Sequence, residues 1–323
     1  MALLQDPPVP FPPPCSFGTY KLKGTTCYDC TLAALDIGYR SIDTARCYGN
    51  ESEVGEAIRA SGVPRDEIFL TSKIAPAEMG SEADAFTAIE LSLQLLQTPY
   101  LDLCLIHWPG RAKTDPSNHP ENRAARADTW RAMLRAKRLG LCRHIGVSNF
   151  SAEHIDELAD VAEKSTSDLL KKETDVEVNQ RNEAQDLPKK KTAIEVNQIE
   201  VHPLYRQEAL RQFCARTGVA VQAYSSLGSS VPTSHRALLR HPAVQRVATE
   251  AKKSAAQVCL MWAAQQGLPV IPKASSREHM RENWETVAGA VAGGARWKLS
   301  EEHMLLLAVL GECKLCWDPK TVL

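Results

Sequence analysis

Eight short runs of β-favouring residues punctuate this chain, and most are followed by a stretch that reads as helix. The runs cover 15–19, 38–43, 67–73, 101–106, 142–147, 194–198, 219–224 and 268–271. Strict strand–helix alternation demands parallel strands joined by crossovers. Eight such units within 323 residues predict an α/β fold, a closed (β/α)8 TIM barrel. An open doubly wound sheet is the alternative, but no G-x-G-x-x-G follows the first strand. We expect one domain over 1–323.

One segment breaks the rhythm. Residues 164–192 are polar and lysine-rich, and read as a surface insertion before the sixth strand. They carry most of a repeat: KKETDVEVNQ (171–180) and KKKTAIEVNQ (189–198) match at seven of ten positions. Either EVNQ could supply strand six, placing Gln180 or Gln198 there. The second copy is preferred, because IEVHPLY comes directly after it. A charged loop is expected over 110–127, with the next helix starting at Asp128. Residues 7–14 are proline-rich and are expected to cover the fold rather than build it.

Composition narrows the partners. A net charge of −1 argues against bulk binding to nucleic acid or a membrane surface. The N-terminus lacks the basic and apolar regions of a signal peptide, and no run suits a spanning helix. A reducing cytosol is the expected compartment. Among ten cysteines, Cys27/Cys30 and Cys313/Cys316 form CxxC pairs, but the gap between pairs is too long for the usual zinc spacing. We expect no metal. The terminal Thr-Val-Leu is a chance-level candidate for docking a peptide-binding domain.

Chemistry-bearing residues gather at predicted strand ends. Asp43 ends strand two, Tyr48 lies on the loop after it, Lys73 ends strand three and His107 comes after strand four. Singly, each has a structural reading: a cap, a packed phenol, a solvated amine, a structural imidazole. On one barrel face they make a proton-transfer device. Hydride addition to a carbonyl leaves negative charge on oxygen, and a positioned acid must supply a proton. A nearby ammonium lowers a phenol's pKa, so Lys73 is expected to activate Tyr48, with Asp43 orienting Lys73. A neutral His107 would aim the carbonyl oxygen.

In these motifs the chain resembles the aldo-keto reductases. The likeness is carried by FGTYKL (17–22), GYRSIDTARCYGNE (38–51), LTSK (70–73), LIHWP (105–109), IGVSNF (145–150), EVNQIEVHP (195–203), QAYSSLGS (222–229) and IPKASSREHMREN (271–283). The resemblance implies NADPH-dependent reduction of aldehydes or ketones, with Tyr48 as general acid and Asp43, Lys73 and His107 completing the tetrad. It implies a cofactor site in which Ser148, Asn149 and Gln198 hold the nicotinamide carboxamide and Tyr224 stacks on the ring. Thr19 and Asp43 border that site, while Ser225, Leu227 and Ser229 lie on the pyrophosphate loop. Lys273, Ser275, Ser276 and His279 would meet the adenosine phosphate, and Glu282 and Asn283 the adenine. Tyr20 and Trp108 would line the substrate pocket with Tyr48 and His107. The family often has arginine where His279 stands and tryptophan where Tyr20 stands. Arginine is always charged and bidentate, whereas histidine is neither at pH 7, so NADH use is less excluded. A monomer is the family default. The same fold also serves non-catalytic channel subunits and lens crystallins, so the fold alone does not decide.

Overall fold

The computed structural model describes residues 11–115, 119–161, 193–228, 235–291 and 297–316. The 164–192 insertion, the first EVNQ copy with Gln180, Ser229 and the terminal Thr-Val-Leu lie outside the described residues.

Seven parallel strands pair in chain order. They are β1 (Phe17–Gly18), β2 (Ser41–Asp43), β3 (Phe69–Ile74), β4 (Leu101–Ile106), β5 (Cys142–Ser148), β6 (Val196–Glu200) and β7 (Ala220–Tyr224). The expected eighth strand is reduced to one bridging residue. Val270 pairs in parallel with Cys15 on one edge of the sheet and with Ala223 on the other. Backbone bonds from Ser16 N to Val270 O (2.9 Å), from Val270 N to Pro14 O (2.9 Å) and from Ile271 N to Ala223 O (3.1 Å) complete the closure. The fold is the (β/α)8 barrel.

Helices α1 (Gly24–Ile37), α2 (Glu51–Ala60), α3 (Glu82–Leu96) and α4 (His119–Arg138) come after β1 to β4. Residues 152–161 form α5, and α6 (Glu208–Thr217), α7 (His235–Leu239), α8 (Pro242–Ala251), α9 (Ala255–Gln265), α10 (Arg277–Val291) and α11 (Glu301–Ala308) complete the set. The helix expected from Asp128 instead begins at His119. Pro120 in its first turn suits a helix start, and the alanine- and arginine-rich residues beyond it are good helix formers. The second half of the charged stretch, from His119 on, is therefore helix, not loop. The Ser151 start of α5 is a capping box with histidine in the Glu/Gln role. His154 N donates to Ser151 Oγ (3.3 Å) and Ser151 N donates to His154 Nδ1 (3.4 Å). Burial and the Arg126 charge hold His154 down to about 4, so its ring is free to accept.

The main core lies between strands and helices, around Trp130, Trp262, Tyr39 and Ile42. A second, small cluster of Phe69, Leu103, Leu105 and Val196, with Ala220 against it, fills the lower barrel. Side chains on a strand alternate faces, so two residues further along β3, β6 and β7 the interior becomes polar. Ser16 Oγ and Ser41 Oγ lie 2.7 Å apart, Gln222 Nε2 donates to Ser16 Oγ (3.4 Å), and Gln198 Nε2 donates to Gln222 Oε1 (3.0 Å). Gly146 on β5 is required by close approach: a Cβ there would meet Val196 O at 2.5 Å. At the N-terminal end of the barrel Phe11 stacks on His144 with ring centroids 4.0 Å apart, covering the strands as the proline-rich start suggests.

Glu195, just before β6, ties three elements at that end. It accepts from His144 Nδ1 (2.7 Å), Lys137 Nζ (2.6 Å) and Ile145 N (3.1 Å). Burial opposes its charge, but these bonds outweigh burial and bring the carboxyl down to about 2. A carboxylate with a depressed folded pKa stabilises above its unfolded value and loses that contribution as pH falls through the folded one. Glu195→Gln should therefore cost about 1–2 kcal/mol at neutral pH after solvent screening, with the gap to wild type closing between roughly pH 4.5 and 2. Denaturant titrations across that range would show it.

Candidate active site

Strand register delivers the expected residues to one rim. Asp43 is the last residue of β2, Lys73 the penultimate residue of β3, and His107 comes directly after β4. Tyr48 closes a 3-10 turn (Arg46–Tyr48) between β2 and α2. The Lys73 ammonium is fully buried and donates to Asp43 Oδ1 at 2.6 Å and to Thr44 O at 2.8 Å. From across the barrel Gln198 Nε2 donates to Asp43 Oδ2 at 2.8 Å. Lys73 Nζ lies 5.2 Å from the centre of the Tyr48 ring. That ring stands edge-on to His107 with centroids 5.6 Å apart, and 5.0 Å from Tyr20. Trp108, 7% exposed, stacks beside His107 at 6.3 Å. The structure thus brings together Asp43, Tyr48, Lys73, His107, Tyr20 and Trp108.

Electrostatics correct one expectation. Lys73 does not pull the Tyr48 phenol down. Burial, then the Asp43 carboxylate, Cys47 and Tyr20, push it well above the ordinary value. The carboxylate 2.6 Å from the ammonium offsets part of its field at the ring, so burial decides the net direction. Tyr48 is therefore a protonated phenol at neutral pH. Burial and the Lys73 charge hold His107 well below its usual range, so the imidazole is neutral as expected.

The Tyr48 turn is pinned on three sides by residues that the sequence alone does not single out. Asn50 Nδ2 donates to Thr19 O (2.9 Å) and Leu22 O (3.0 Å), while Asn50 Oδ1 accepts from Thr44 Oγ1 (2.9 Å). Arg46 pairs with Glu78 (2.9 Å) and with buried Glu51 (3.3 Å), which also accepts from Ser72 Oγ (2.6 Å). Lys23 Nζ donates to the Tyr48 carbonyl. Cys47 Sγ sits 3.3 Å from His107 Nδ1. The polar pair Asn50-Glu51 at a helix start is the available signal, though it reads only as a loop former and a helix opening. Beyond β4, Arg126 Nη1 donates to Pro109 O (2.8 Å) and steadies the loop after Trp108.

The expected cofactor residues fall into two groups. The first lines the barrel mouth. Tyr224 OH donates to Asn149 Oδ1 (2.7 Å), Asn149 Nδ2 donates to His107 O (3.0 Å), and Ser148 Oγ donates to Gln198 O (2.8 Å). Gln198 lies in β6, paired with Ser148 and Gln222, which places the second EVNQ copy in strand six. Thr19 Oγ1 donates to Asp43 O (3.1 Å). Ser225 comes after β7 and Leu227 packs against the core. The second group surrounds the start of α10. Lys273, Ser275, Ser276 and His279 are exposed, and His279 N donates to Ser276 Oγ at 3.3 Å. Glu282 accepts from Ser254 Oγ, and Asn283 is buried.

Other features are accounted for without chemistry. All ten cysteines are thiols, with Cys27 and Cys30 buried on α1. Among the described residues no three His, Cys, Asp or Glu side chains gather as a metal site, and no helix is long and apolar enough to cross a membrane. Grooves of about 620 and 450 Å³, flanked by Arg40 and Arg277 and by Arg211 and Gln266, include none of the tetrad.

Comparison with known proteins decides the family. The sequence profile of the aldo/keto reductase family matches residues 16–290. The chain belongs to the aldo/keto reductase family. Among its relatives is a glyoxal reductase from Bacillus subtilis (strain 168), 36% identical over 82% of this chain and 80% of that protein. A 9,11-endoperoxide prostaglandin H2 reductase from Trypanosoma cruzi (strain CL Brener) is 34% identical over 87% of this chain and 81% of that protein. The crystal structure of an aldo-keto reductase from a Medee basin deep-sea metagenome library superposes with a TM-score of 0.74 at 28% identity, covering 96% of each chain. This aldo/keto reductase is therefore an oxidoreductase of carbonyl compounds, in a family that generally works with NAD(P)H.

Proposed function

We propose that this enzyme reduces aldehydes and ketones to alcohols with NADPH, using Tyr48 as the proton donor. The observation that carries the reading is a protonated Tyr48 standing between a neutral His107 and the buried Lys73–Asp43 pair. The residues present fit a nicotinamide dinucleotide. Ser148, Asn149 and Gln198 gather amide and hydroxyl groups at the barrel mouth for a carboxamide, with Tyr224 beside them for the ring. At the other end the exposed Lys273 and Ser276 lie at the N-terminus of the fifteen-residue α10, where the helix dipole favours phosphate. Lys273 supplies the point charge that favours NADPH. His279 supplies no bidentate grip, so discrimination against NADH is weaker than an arginine would give.

The bound nicotinamide supplies a hydride to the carbonyl carbon. Everything else is done by the chain. His107 hydrogen-bonds the carbonyl oxygen and aims it at Tyr48. Tyr48 gives its proton as negative charge develops there. The phenolate left behind lies beside the Lys73 ammonium, which stabilises it; burial and the Asp43 charge outweigh that pull and keep the resting phenol protonated. Gln198 and Thr44 keep that pair in place. The reading takes the enzyme as a monomer in the reducing cytosol, where thiols persist.

A pH profile tests the assignments. The depressed His107 value means no inflection in reduction near about 6.5. Activity should fall only at much lower pH, where His107 protonates. The raised Tyr48 value keeps the acid in hand until above about 10. The founding experiment is purified-protein turnover, monitoring NADPH and NADH oxidation with glyoxal, aromatic aldehydes, ketones and sugars. Faster oxidation of NADPH with at least one aldehyde is the expected result. No turnover with any compound would shift the reading to a non-catalytic barrel.

A further inference from the structure

Glu200, the last residue of β6, is a carboxylate with no exposed surface. A buried charge is tolerated only when paired and fully hydrogen-bonded. Three of the four donors around Glu200 come from the C-terminal tail. Lys314 Nζ donates to Oε2 at 2.7 Å, and Leu315 N and Cys316 N donate to Oε1 at 2.7 and 3.0 Å. His202 Nε2, at 3.1 Å, is the fourth. Burial opposes the charge, but these bonds outweigh it and bring the carboxyl down to about 2.

The surroundings extend the clamp. Arg206 Nη1, from the loop after β6, donates to Leu310 O (2.7 Å), and Cys313 N donates to Leu204 O (2.5 Å). Lys314 Nζ lies 4.8 Å from the centre of the Tyr205 ring. Leu315 is driven into the main core. Held this way, Cys316 Sγ rests 3.0 Å from Ser225 Oγ, next to Tyr224. Tyr20 feels the tail from the opposite side: burial, Cys47 and Cys316 raise its phenol. Cys316 is thus near both Tyr20 and Tyr224 at the barrel mouth.

We propose that Glu200 is a positioning residue: its buried carboxylate clamps residues 314–316 at the barrel mouth, and loosening that one clamp shifts selectivity between large and small carbonyl compounds. The reductase reading underlies the selectivity part of this proposal. The clamp itself is readable without activity.

The test compares Glu200→Gln, Lys314→Met and Lys314→Arg in the full chain. The first readout is alkylation of Cys316 by N-ethylmaleimide, resolved by peptide mass spectrometry. Both Glu200→Gln and Lys314→Met should speed it by about fivefold or more, the change expected from loss of ~1 kcal/mol of restraint. Lys314→Arg, which keeps the charge, should restore the slow rate. The second readout is the KM ratio of a bulky aromatic aldehyde to glyoxal. It should shift by about fivefold in the same two variants, with kcat on glyoxal moving less than KM. A merely structural Glu200 would lower stability without changing that ratio. If Glu200→Gln does not fold, Lys314→Met with its Arg rescue carries the test alone. Unchanged Cys316 alkylation in folded variants overturns the clamp. An altered alkylation rate in a protein that reduces no aldehyde upholds the clamp and sinks the reductase reading instead.

Discussion

Tyr48→Phe should lower carbonyl reduction by about 10³-fold while leaving NADPH affinity within about twofold, because a positioned general acid contributes on the order of 10²–10⁴. The substitution removes one oxygen. The ring keeps its edge contact with His107 and its contact with Tyr20, so the turn has no reason to move. The turn is in any case fastened through Asn50, Arg46 and the Tyr48 carbonyl, none of which needs the hydroxyl. Steady-state kinetics and cofactor fluorescence titration would check both halves. Turnover within about tenfold of wild type would mean that another group supplies the proton. Tyr20→Phe is the companion control: it removes a neighbouring phenol and should leave kcat within about threefold.

Lys73→Met should damage stability and activity together. It strips a fully buried ammonium from Asp43, whose carboxylate then keeps, among the described residues, the Gln198 amide. Breaking a buried pair from one side costs about 3–5 kcal/mol, because the remaining charge is left uncompensated. A loss of about 4–7 degrees of Tm would accompany it for a chain of this size. The rate of reduction should fall by at least about 10², since the phenolate formed on proton transfer loses its stabilising cation. Lys73→Met with Asp43→Asn separates the two effects. The double variant should regain most of the lost stability, because no buried charge is stranded, and none of the lost rate. Recovery of the rate would show that the pair holds the fold and takes no part in the chemistry.

The residues legible in the sequence are those whose role is local. Leu101–Ile106 is a compact apolar run, and its strand limits are the same in the structure. Asp43, Lys73 and His107 fall at predicted strand ends because alternation fixes where a parallel strand stops. Gln198 is preferred over Gln180 because the residues directly after it, IEVHPLY, read as continuing a strand and its loop. The features that escape depend on partners far away in the chain. The raised Tyr48 phenol depends on its burial and on the nearby Asp43 carboxylate, a geometry no spacing encodes. Asn50 reads as a loop former because its partners, Thr19 and Leu22, lie on another loop. Glu200 lies just past the expected sixth strand and is not singled out there, because its donors stand at the far end of the chain. The early start of α4 escapes for the opposite reason. Its charged residues suggest solvent, although they are good helix formers and Pro120 marks the first turn.

The closure at Val270 has a mechanical consequence. The ring of strands is held by six aligned pairs and, at the closure, by backbone bonds from residues 269–272 centred on Val270, which bridges Cys15 and Ala223. Three residues further on, the chain reaches Lys273 and then the exposed serines at the start of α10. The residues that close the barrel and the place where a phosphate would load it are therefore adjacent. A ligand gripping Lys273 and Ser276 in the closed barrel alone would lend part of its binding energy to that closure, so the enzyme would be tightened as a whole by what it holds at its edge.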